Sequence, residues 1–481
     1  MGVLEGFEPV SVFHYFEEIS KIPHISYHEK ELSDYCVAFA KERNLECYQD
    51  DMANVVIIKE ATKGYEDVEP IIIQGHLDMV GDKDPDYDLD MEKESIRLLV
   101  EGDYITADRT TLGADDGIAI AFGLALLDSK DIPHPRLEVV FTVSEEVGLE
   151  GATGIDLSMC KSHRLINIDS EEEGVITAGC AGGVRTVSRI PVTRQTKEGL
   201  LCELKIRGLL GGHSGIEIQE GRSNANILLG RFFLRLKETC QYVLVSMSGG
   251  VKDNAIAKDA VATFVVAPED EIAVKEAVAT FQGYMDTEYA VTDPEIKLVL
   301  EVQGAKAEEV LDEESAENVL TALALMPNGV QTMSADIEGL VETSLNMGVM
   351  ELNKTELVLD YSLRSSLVSA KEMMADKIKQ LTKMLGGTTE LHGDYPSWAY
   401  QRESAFRENC IRIYEDMYGK APKVDIIHAG LECGILSGKI EGLECISIGP
   451  DMFDVHTPNE KISISSIARV WEYVKKILEE K

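Results

Sequence analysis

Hydrophobic positions in the first part of the chain follow two spacings. An amphipathic opening helix is predicted by apolar side chains at helical intervals, namely Val12, Phe13, Phe16, Ile19 and Ile22. Short apolar runs typical of buried strands follow at 55–58, 71–73, 137–143 and 165–168, and the apolar stretch 116–127 predicts a core helix. Strands that alternate with helices predict an α/β fold with a mainly parallel sheet and helices on both faces.

The pattern changes near residue 185. Alternating segments at 200–206, 261–266, 296–302 and 357–363 flank helical stretches at 223–236, 271–287 and 370–385, which is typical of an α+β unit. After about residue 398 the first pattern returns, and it ends in an amphipathic helix. The sequence therefore predicts one domain over 1–185 and 399–481, interrupted by an inserted α+β domain over 186–398.

Composition and charge argue against two classes of partner. The 46 basic and 85 acidic residues give a net charge of −39, which would repel nucleic acids and anionic membranes. No apolar stretch approaches the ~20 residues that span a bilayer, and the amino terminus lacks the pattern of a signal peptide. Nine scattered cysteines without CxxC spacing are typical of a reducing compartment. We expect a cytoplasmic protein.

A histidine and a carboxylate follow the run at 71–73. In Gln74-Gly-His76-Leu-Asp78 the two side chains of His76 and Asp78 are two residues apart, which places them on one face of an extended segment. A histidine whose second nitrogen is held by a carboxylate is the usual arrangement of a metal ligand. A loop histidine beside an acid remains the alternative.

Four further segments carry ionisable side chains, three of them at strand ends or at a helix start. They contain Asp115 and Asp116 between glycines, Glu145 and Glu146 after the run 137–143, Asp169 after the run 165–168, and His456 near the end of the chain. A single aspartate in such a place is commonly a helix cap. Two histidines with three carboxylates are instead a ligand set that suits zinc, with manganese or cobalt as alternatives.

These segments resemble the active-site motifs of the co-catalytic zinc peptidases, a family that includes aminoacyl-histidine dipeptidases, glutamate carboxypeptidase, tripeptide aminopeptidase and N-acyl-amino-acid deacylases. The resemblance extends over nearly the whole chain. It also includes segments of the inserted domain, namely Gly211-Gly-His213-Ser-Gly215, Asn224-Ala-Asn226, Asn254-Ala-Ile256 and Tyr395-Pro396. The glycine–glycine–histidine segment indicates the dipeptidase branch.

The resemblance implies a role for each matching residue. Asp115 would bridge two divalent ions, with His76 and Asp169 on one ion and Glu146 and His456 on the other. Asp78 would orient His76, and Glu145 would be the general base that activates a water molecule between two metals about 3.5–4 Å apart. The family also carries a cis peptide bond after the bridging aspartate, here between Asp115 and Asp116.

For the substrate, the resemblance suggests four binding residues and a second subunit. His213 would donate a hydrogen bond to the oxyanion, Arg364 and Asn254 would bind the free carboxylate of a dipeptide, and Glu432 would pair with its amine. The alternatives without a role in binding are that His213 is a turn histidine, that Arg364 is a surface arginine, and that Glu432 is a buried structural glutamate. A homodimer through the inserted lid and dimerisation domain is expected, as in relatives.

The expected activity is hydrolysis of dipeptides, Xaa-His dipeptides included. Three alternatives remain: a tripeptide aminopeptidase, an N-acyl-amino-acid deacylase or carboxypeptidase on the same scaffold, and an inactive relative that binds metal or peptide. Two positions depart from the family pattern. Ala257-Lys258 stands where Pro-Arg is frequent, and Ser397 stands where glycine is common. Both concern the inserted domain or its exit, so they bear on substrate recognition only.

Overall fold

The computed structural model describes residues 2–481. The chain forms two compact units. The first unit comprises 1–180, 398–426 and 431–481, and the second comprises 181–397 with the short segment 427–430. The sequence analysis had set the ends of the inserted domain at 186 and 398. It had also assigned the segment 427–430 to the domain that the insertion interrupts.

The helices and strands fall into three stretches of chain. The first stretch contains α1 (Val10–Ile19), α2 (Lys30–Glu42), β1 (Glu46–Gln49), β2 (Val55–Lys59), β3 (Ile71–His76), β4 (Leu98–Glu101), β5 (Tyr104–Ala107), α3 (Ala114–Asp128), β6 (Leu137–Thr142), α4 (Glu150–Gly154), β7 (Arg164–Asn167) and β8 (Val175–Cys180). The second stretch contains β9 (Gly182–Pro191), β10 (Arg194–Arg207), α5 (Ala225–Leu236), β11 (Tyr242–Gly249), β12 (Ala260–Val266), α6 (Glu271–Glu288), β13 (Lys297–Leu311), α7 (Glu313–Leu325), β14 (Gly329–Met333), β15 (Val341–Leu352), β16 (Glu356–Ser365), α8 (Val368–Met384) and β17 (Thr388–Tyr395). The third stretch contains α9 (Ala405–Tyr418), β18 (Lys423–Ile427), α10 (Glu432–Lys439), β19 (Glu444–Ser447), β20 (Met452–Phe453), β21 (Lys461–Ser463) and α11 (Ile464–Glu479).

An eight-stranded sheet in the order β1-β2-β6-β3-β7-β19-β8-β18 forms the centre of the first unit. Strands β6, β3, β7 and β19 are parallel neighbours, whereas β1, β2 and β8 pair with their neighbours in antiparallel fashion. Both faces of the parallel strands are buried, which explains their continuous apolar runs. The expected mainly parallel sheet is confirmed at its centre.

Helix α3 lies in the core beside this sheet. It packs against α1 and β3, and its side chains from 117 to 127 are buried. Its Phe122 meets Trp471 of α11 edge to face, with ring centroids 5.2 Å apart. The carboxyl ends of β3, β6 and β7 lie at one edge of the sheet because these strands are parallel. That edge is where side chains beyond the strands can meet.

A small four-stranded antiparallel sheet in the order β20-β21-β5-β4 completes the first unit. It pairs β21 with β5, so that the chain after residue 460 lies beside residues 104–106. The segment 454–460, between β20 and β21, is therefore fixed at both ends by this sheet.

The second unit contains a nine-stranded antiparallel sheet with four helices, in the α+β form expected. Its longest pairing joins β10 to β13, and β16 lies between β15 and β9. Helices α5 to α8 supply the apolar side chains that form one core with the sheet, including Phe232, Phe233 and Phe281. Within residues 2–481, no helix is long and apolar enough to cross a membrane. All nine cysteines are free thiols.

Candidate metal centre

His76 is the last residue of β3, and its imidazole is buried at the carboxyl edge of the parallel sheet. Its Nε2 lies 3.0 Å from Asp115 Oδ1 and 3.7 Å from Asp169 Oδ1. Its Nδ1 lies 2.9 Å from the backbone carbonyl of Asp78 and 3.4 Å from the carboxylate of the same residue. The backbone oxygen is thus the nearer acceptor, and Nε2 faces the carboxylates.

Asp115 stands between the two histidines that the sequence analysis selected. One carboxylate oxygen, Oδ1, faces His76, and the other, Oδ2, lies 3.1 Å from His456 Nε2. The peptide bond between Asp115 and Asp116 is cis, as the family resemblance implied. One oxygen directed to each histidine is the geometry that a carboxylate between two cations requires.

Glu146 and Asp169 approach Asp115 from the ends of two other strands. Glu146 Oε1 lies 2.8 Å from His456 Nε2, so His456 contacts both carboxylates. Asp115, Glu146 and His456 form one group whose ligand atoms all lie within 4.8 Å of one another. A second such group contains His76, Asp169 and Asp116. The five residues predicted as ligands therefore lie in one cluster.

The carboxylate of Asp78 holds the turn after β6. It accepts the backbone N–H groups of Glu145 at 2.9 Å and Glu146 at 3.2 Å, and the hydroxyl of Ser26 at 2.8 Å. These hydrogen bonds fix the backbone from which the two glutamates project. The structure thus adds a contact that the sequence did not indicate, since Asp78 joins the His76 segment to the glutamate pair.

Glu145 belongs to the same cluster. Its carboxylate lies within 4.8 Å of ligand atoms of His76 and Glu146. Burial raises the pKa of Glu145 well above its usual value, and although the charge of His76 opposes this, the charges of Asp169 and Glu146 add to it. A carboxylate with a raised pKa beside several acids is suited to proton transfer near neutral pH.

The acids change the protonation of the two histidines. Burial disfavours the charged form of His456, but hydrogen bonds to Asp115 and Glu146 outweigh it and raise the pKa to about 11. Burial also disfavours the charged form of His76, but hydrogen bonds to Asp115 and Asp169 outweigh this effect. The pKa of His76 is therefore raised well above its usual value. In the absence of metal, protons on these imidazoles therefore supply the positive charge that the cluster needs. Imidazole nitrogens and carboxylates that converge in this way fit a pair of divalent ions.

Three further buried acids lie around this cluster, and the sequence assigned a role to only one of them, Glu432, as the partner of the substrate's amine. Asp116 is buried, accepts the backbone N–H of His76 at 3.2 Å, and has a second oxygen without a partner. Glu432 is buried as well, accepts hydrogen bonds from Gln74 and Thr142, and its pKa is raised to about 7 by burial. Glu460 accepts three backbone N–H groups of the segment before Asp115. Only the pairing of distant segments reveals these positions.

In the second unit, the loop that carries His213 fixes the tautomer of its ring. Nδ1 of His213 accepts the backbone N–H groups of Gly215 at 3.2 Å and Ile216 at 3.3 Å. Burial and the charge of Arg364 lower the pKa of His213, so the ring is neutral at pH 7. Since Nδ1 is an acceptor, the proton is on Nε2, and that nitrogen is a hydrogen-bond donor.

Arg364 is a buried cation of the second unit. It lies on β16, donates from Nη1 to the hydroxyl of Tyr395 at 3.0 Å, and has no partner at Nε. His428 is buried in the same unit, with Nε2 2.8 Å from Ser344 Oγ and an unpartnered Nδ1. Burial and the charge of Arg364 lower the pKa of His428 to about 3. Asn254 is half-buried, and its backbone carbonyl accepts the N–H of Ser214, next to His213.

The chain belongs to the M20 family of peptidases, and it is a peptide hydrolase of that family. Residues 204–293, in the second unit, match the family model described as the peptidase dimerisation domain.

The cytosol non-specific dipeptidase of Escherichia coli K12 is 36% identical to this chain over 483 residues, which cover 100% of this chain and 99% of that protein. The crystal structure of aminoacylhistidine dipeptidase from Vibrio alginolyticus superposes with a TM-score of 0.91 at 34% identity, covering 99% of this chain and 97% of that one. Aminopeptidase PepT from Bacillus cereus shares the fold at a TM-score of 0.57 and 17% identity, over 98% of each chain.

Proposed function

We propose that this chain is a metal-dependent dipeptidase that hydrolyses dipeptides with a free carboxylate, Xaa-His dipeptides among them. The two relatives that match it over nearly its whole length are named as dipeptidases. The observation that carries the proposal is the position of Asp115, with one carboxylate oxygen toward His76 and the other toward His456.

In this proposal five residues bind two divalent ions, zinc by preference, with manganese or cobalt accepted by the same ligands. Asp115 is shared by both ions. His76 and Asp169 complete one site, and Glu146 and His456 complete the other. The convergence of these side chains supports the assignment, because the two histidines form ion pairs with the three carboxylates.

Glu145 is the general base in this scheme. Two divalent ions bound here would lower the pKa of a water molecule toward neutrality and polarise the scissile carbonyl. Glu145 takes the proton of the attacking water and later passes it to the departing amine. Its position supports this role, because its carboxylate lies within 4.8 Å of ligand atoms of His76 and Glu146. Asp78 keeps Glu145 in place through its backbone N–H.

Recognition of the substrate falls to the second unit and to Glu432. His213 donates its Nε2–H to the oxyanion, and its tautomer supports this role. Arg364 binds the carboxylate of the substrate, supported by its burial and its unpartnered Nε, and Asn254 assists. Glu432 pairs with the substrate's amine. The match to a dimerisation domain supports a homodimer through the second unit, and the name of the Escherichia coli relative supports a cytoplasmic location.

The test is hydrolysis of a substrate panel by metal-stripped protein to which zinc, manganese or cobalt is restored. The panel contains β-Ala-His, Gly-His, Leu-Gly, one tripeptide and one N-acetyl amino acid. Metal-dependent turnover confined to the dipeptides is expected. Turnover of the tripeptide or the N-acetyl substrate instead would keep the metal centre and overturn the substrate class. Absence of turnover with every metal would leave a binding protein. Light scattering that shows only monomer would contradict the dimer.

A further inference from the structure

Glu460 is a buried carboxylate, four residues after His456, that no step of the proposed reaction uses. It lies between β20 and β21, in the segment that brings His456 to the cluster, and only 2% of its surface is exposed. Its Oε2 accepts the backbone N–H groups of Leu112 at 2.9 Å and Gly113 at 3.2 Å, and its Oε1 accepts that of Ala114 at 2.8 Å. Burial and the charge of Asp115 raise the pKa of Glu460 to about 7, and the three donors oppose that shift.

The three donors belong to the turn directly before Asp115. These donors are not part of a regular helical turn, because Asp115 and Asp116 interrupt the helical backbone with ψ of 105° and 35°. Gly113, in the middle of the turn, adopts a left-handed backbone with φ of 70°. Glu460 therefore binds an irregular turn from 347 residues further along the chain.

The backbone of Glu460 is also fixed. Its carbonyl accepts the hydroxyl of Thr106 at 2.8 Å, and β21 begins at the next residue and pairs with β5. The side chain binds the Asp115 turn while the main chain continues the His456 segment. Glu460 thus joins two segments that are far apart in sequence. One leads to Asp115, and the other contains His456.

We infer that Glu460 is a positioning residue of the metal centre, whose carboxylate sets the Asp115 turn at a fixed distance from the His456 segment. The inference rests on the proposed function, since it assumes that Asp115 and His456 bind metal. A carboxylate that is shared by two ions must direct both oxygens accurately. A less rigid backbone directly before Asp115 is therefore expected to lower metal affinity more than it lowers the free energy of unfolding.

Glu460→Gln tests this inference with little change in volume. The glutamine has one acceptor oxygen, and its NH2 group faces an N–H donor, so at least one hydrogen bond of the turn is lost. Loss of a residue that supports metal ligands typically lowers metal affinity about 10- to 100-fold. We expect that decrease for at least one of the two ions in metal-stripped protein titrated with zinc against a chelating indicator. The visible absorption of the cobalt-substituted variant is expected to differ from wild type, because the ligand geometry changes.

Glu138→Gln is the matched control. Glu138 is equally buried, and its carboxylate accepts the backbone N–H groups of Lys161 at 2.9 Å and Ser162 at 3.1 Å. It is the second residue of β6, whose far end leads to Glu145 and Glu146, so it lies away from the cluster. Both variants are expected to lower the unfolding temperature of the metal-free protein, but Glu138→Gln should keep wild-type metal affinity and cobalt absorption.

The outcomes distinguish the positioning role of Glu460 from the proposed dipeptidase function on which it rests. Wild-type affinity in a folded Glu460→Gln variant would overturn the inference and leave the dipeptidase proposal intact. A wild-type chain that binds no metal would overturn both. If Glu460→Gln does not fold, Glu460→Asp replaces it, because the shorter side chain keeps the charge and cannot span all three donors. Unchanged metal affinity in that variant would equally refute the positioning role.

Discussion

Metal binding to the cluster of His76, Asp115 and His456 is expected to release protons, and its affinity is expected to fall as the pH falls. Both imidazoles have raised pKa values in the metal-free protein, that of His456 to about 11, and are therefore protonated at pH 7. An imidazolium has no lone pair for a metal, so each proton must leave when an ion binds. Lower pH favours the protonated, metal-free form.

The expected decrease in metal affinity follows from the number of protons released. The two imidazolium ions contribute about two protons to those released per chain when both sites fill at pH 7, and the buried Glu145 carboxyl, whose pKa is also raised, adds to them. Each released proton lowers the apparent binding constant about tenfold per pH unit, so the product of the two constants should fall at least about 100-fold between pH 7 and pH 6. The side chain of His456 is 45% exposed, so solvent screens its ion pairs.

Isothermal titration of metal-stripped protein with zinc in buffers of different ionisation enthalpy measures this number directly. The slope of observed heat against buffer enthalpy is the count of protons released. His456→Gln should lower the count by about one, since one of the two imidazolium groups is removed. His163→Gln should leave the count unchanged, because His163 is an exposed residue paired with Glu69. A slope near zero for the wild-type protein would refute the assignment of protonated histidines to the metal-free site.

Three further results are expected. Glu145→Gln should lower kcat about 10²- to 10⁴-fold, which is the usual contribution of a general base, and should retain zinc affinity. If the variant kept most of its turnover with metal bound, Glu145 would not be the general base. Arg364→Lys should raise KM for dipeptides, because a lysine cannot make two parallel hydrogen bonds to a carboxylate, and dipeptide amides serve as the control, since their KM should not change. Gly113→Ala should lower the unfolding temperature and metal affinity together, because φ is 70° there and an added Cβ would lie 2.7 Å from Met79 Sδ; a variant with wild-type values would contradict the fixed turn.

The sequence predicted the elements that lie closest to the metal cluster. The runs at 71–73 and 137–143 form β3 and β6, and the ionisable residues after them lie at the predicted edge of the sheet. These predictions succeed because continuous apolar runs have few other ways to be buried than as central parallel strands. The resemblance to the co-catalytic zinc peptidases was also identified from motifs, since the histidines and carboxylates recur at characteristic places along a long chain.

What the sequence did not reveal depends on contacts between distant segments. Nothing in the local sequence indicates that Glu460 binds three backbone N–H groups, or that Glu432 binds the side chains of Gln74 and Thr142. The tautomer of His213 likewise follows from two N–H groups that only the folded loop directs at its ring. The segment 427–430 groups with the second unit because His428 bonds to Ser344, although its neighbours on both sides belong to the first.

The order in which the cluster's residues are synthesised has a consequence for the growing chain. Four proposed ligands lie within the first 169 residues, whereas His456 follows only after the whole second unit has been translated. Cys180 and Trp398, at the two ends of the long insertion, pair with hydrogen bonds of 2.9 and 3.1 Å. A ribosome-bound chain that ends before His456 therefore contains all three proposed ligands of one ion and lacks one proposed ligand of the other. The proposed metal centre is completed only late in translation, after all residues of the second unit have been synthesised.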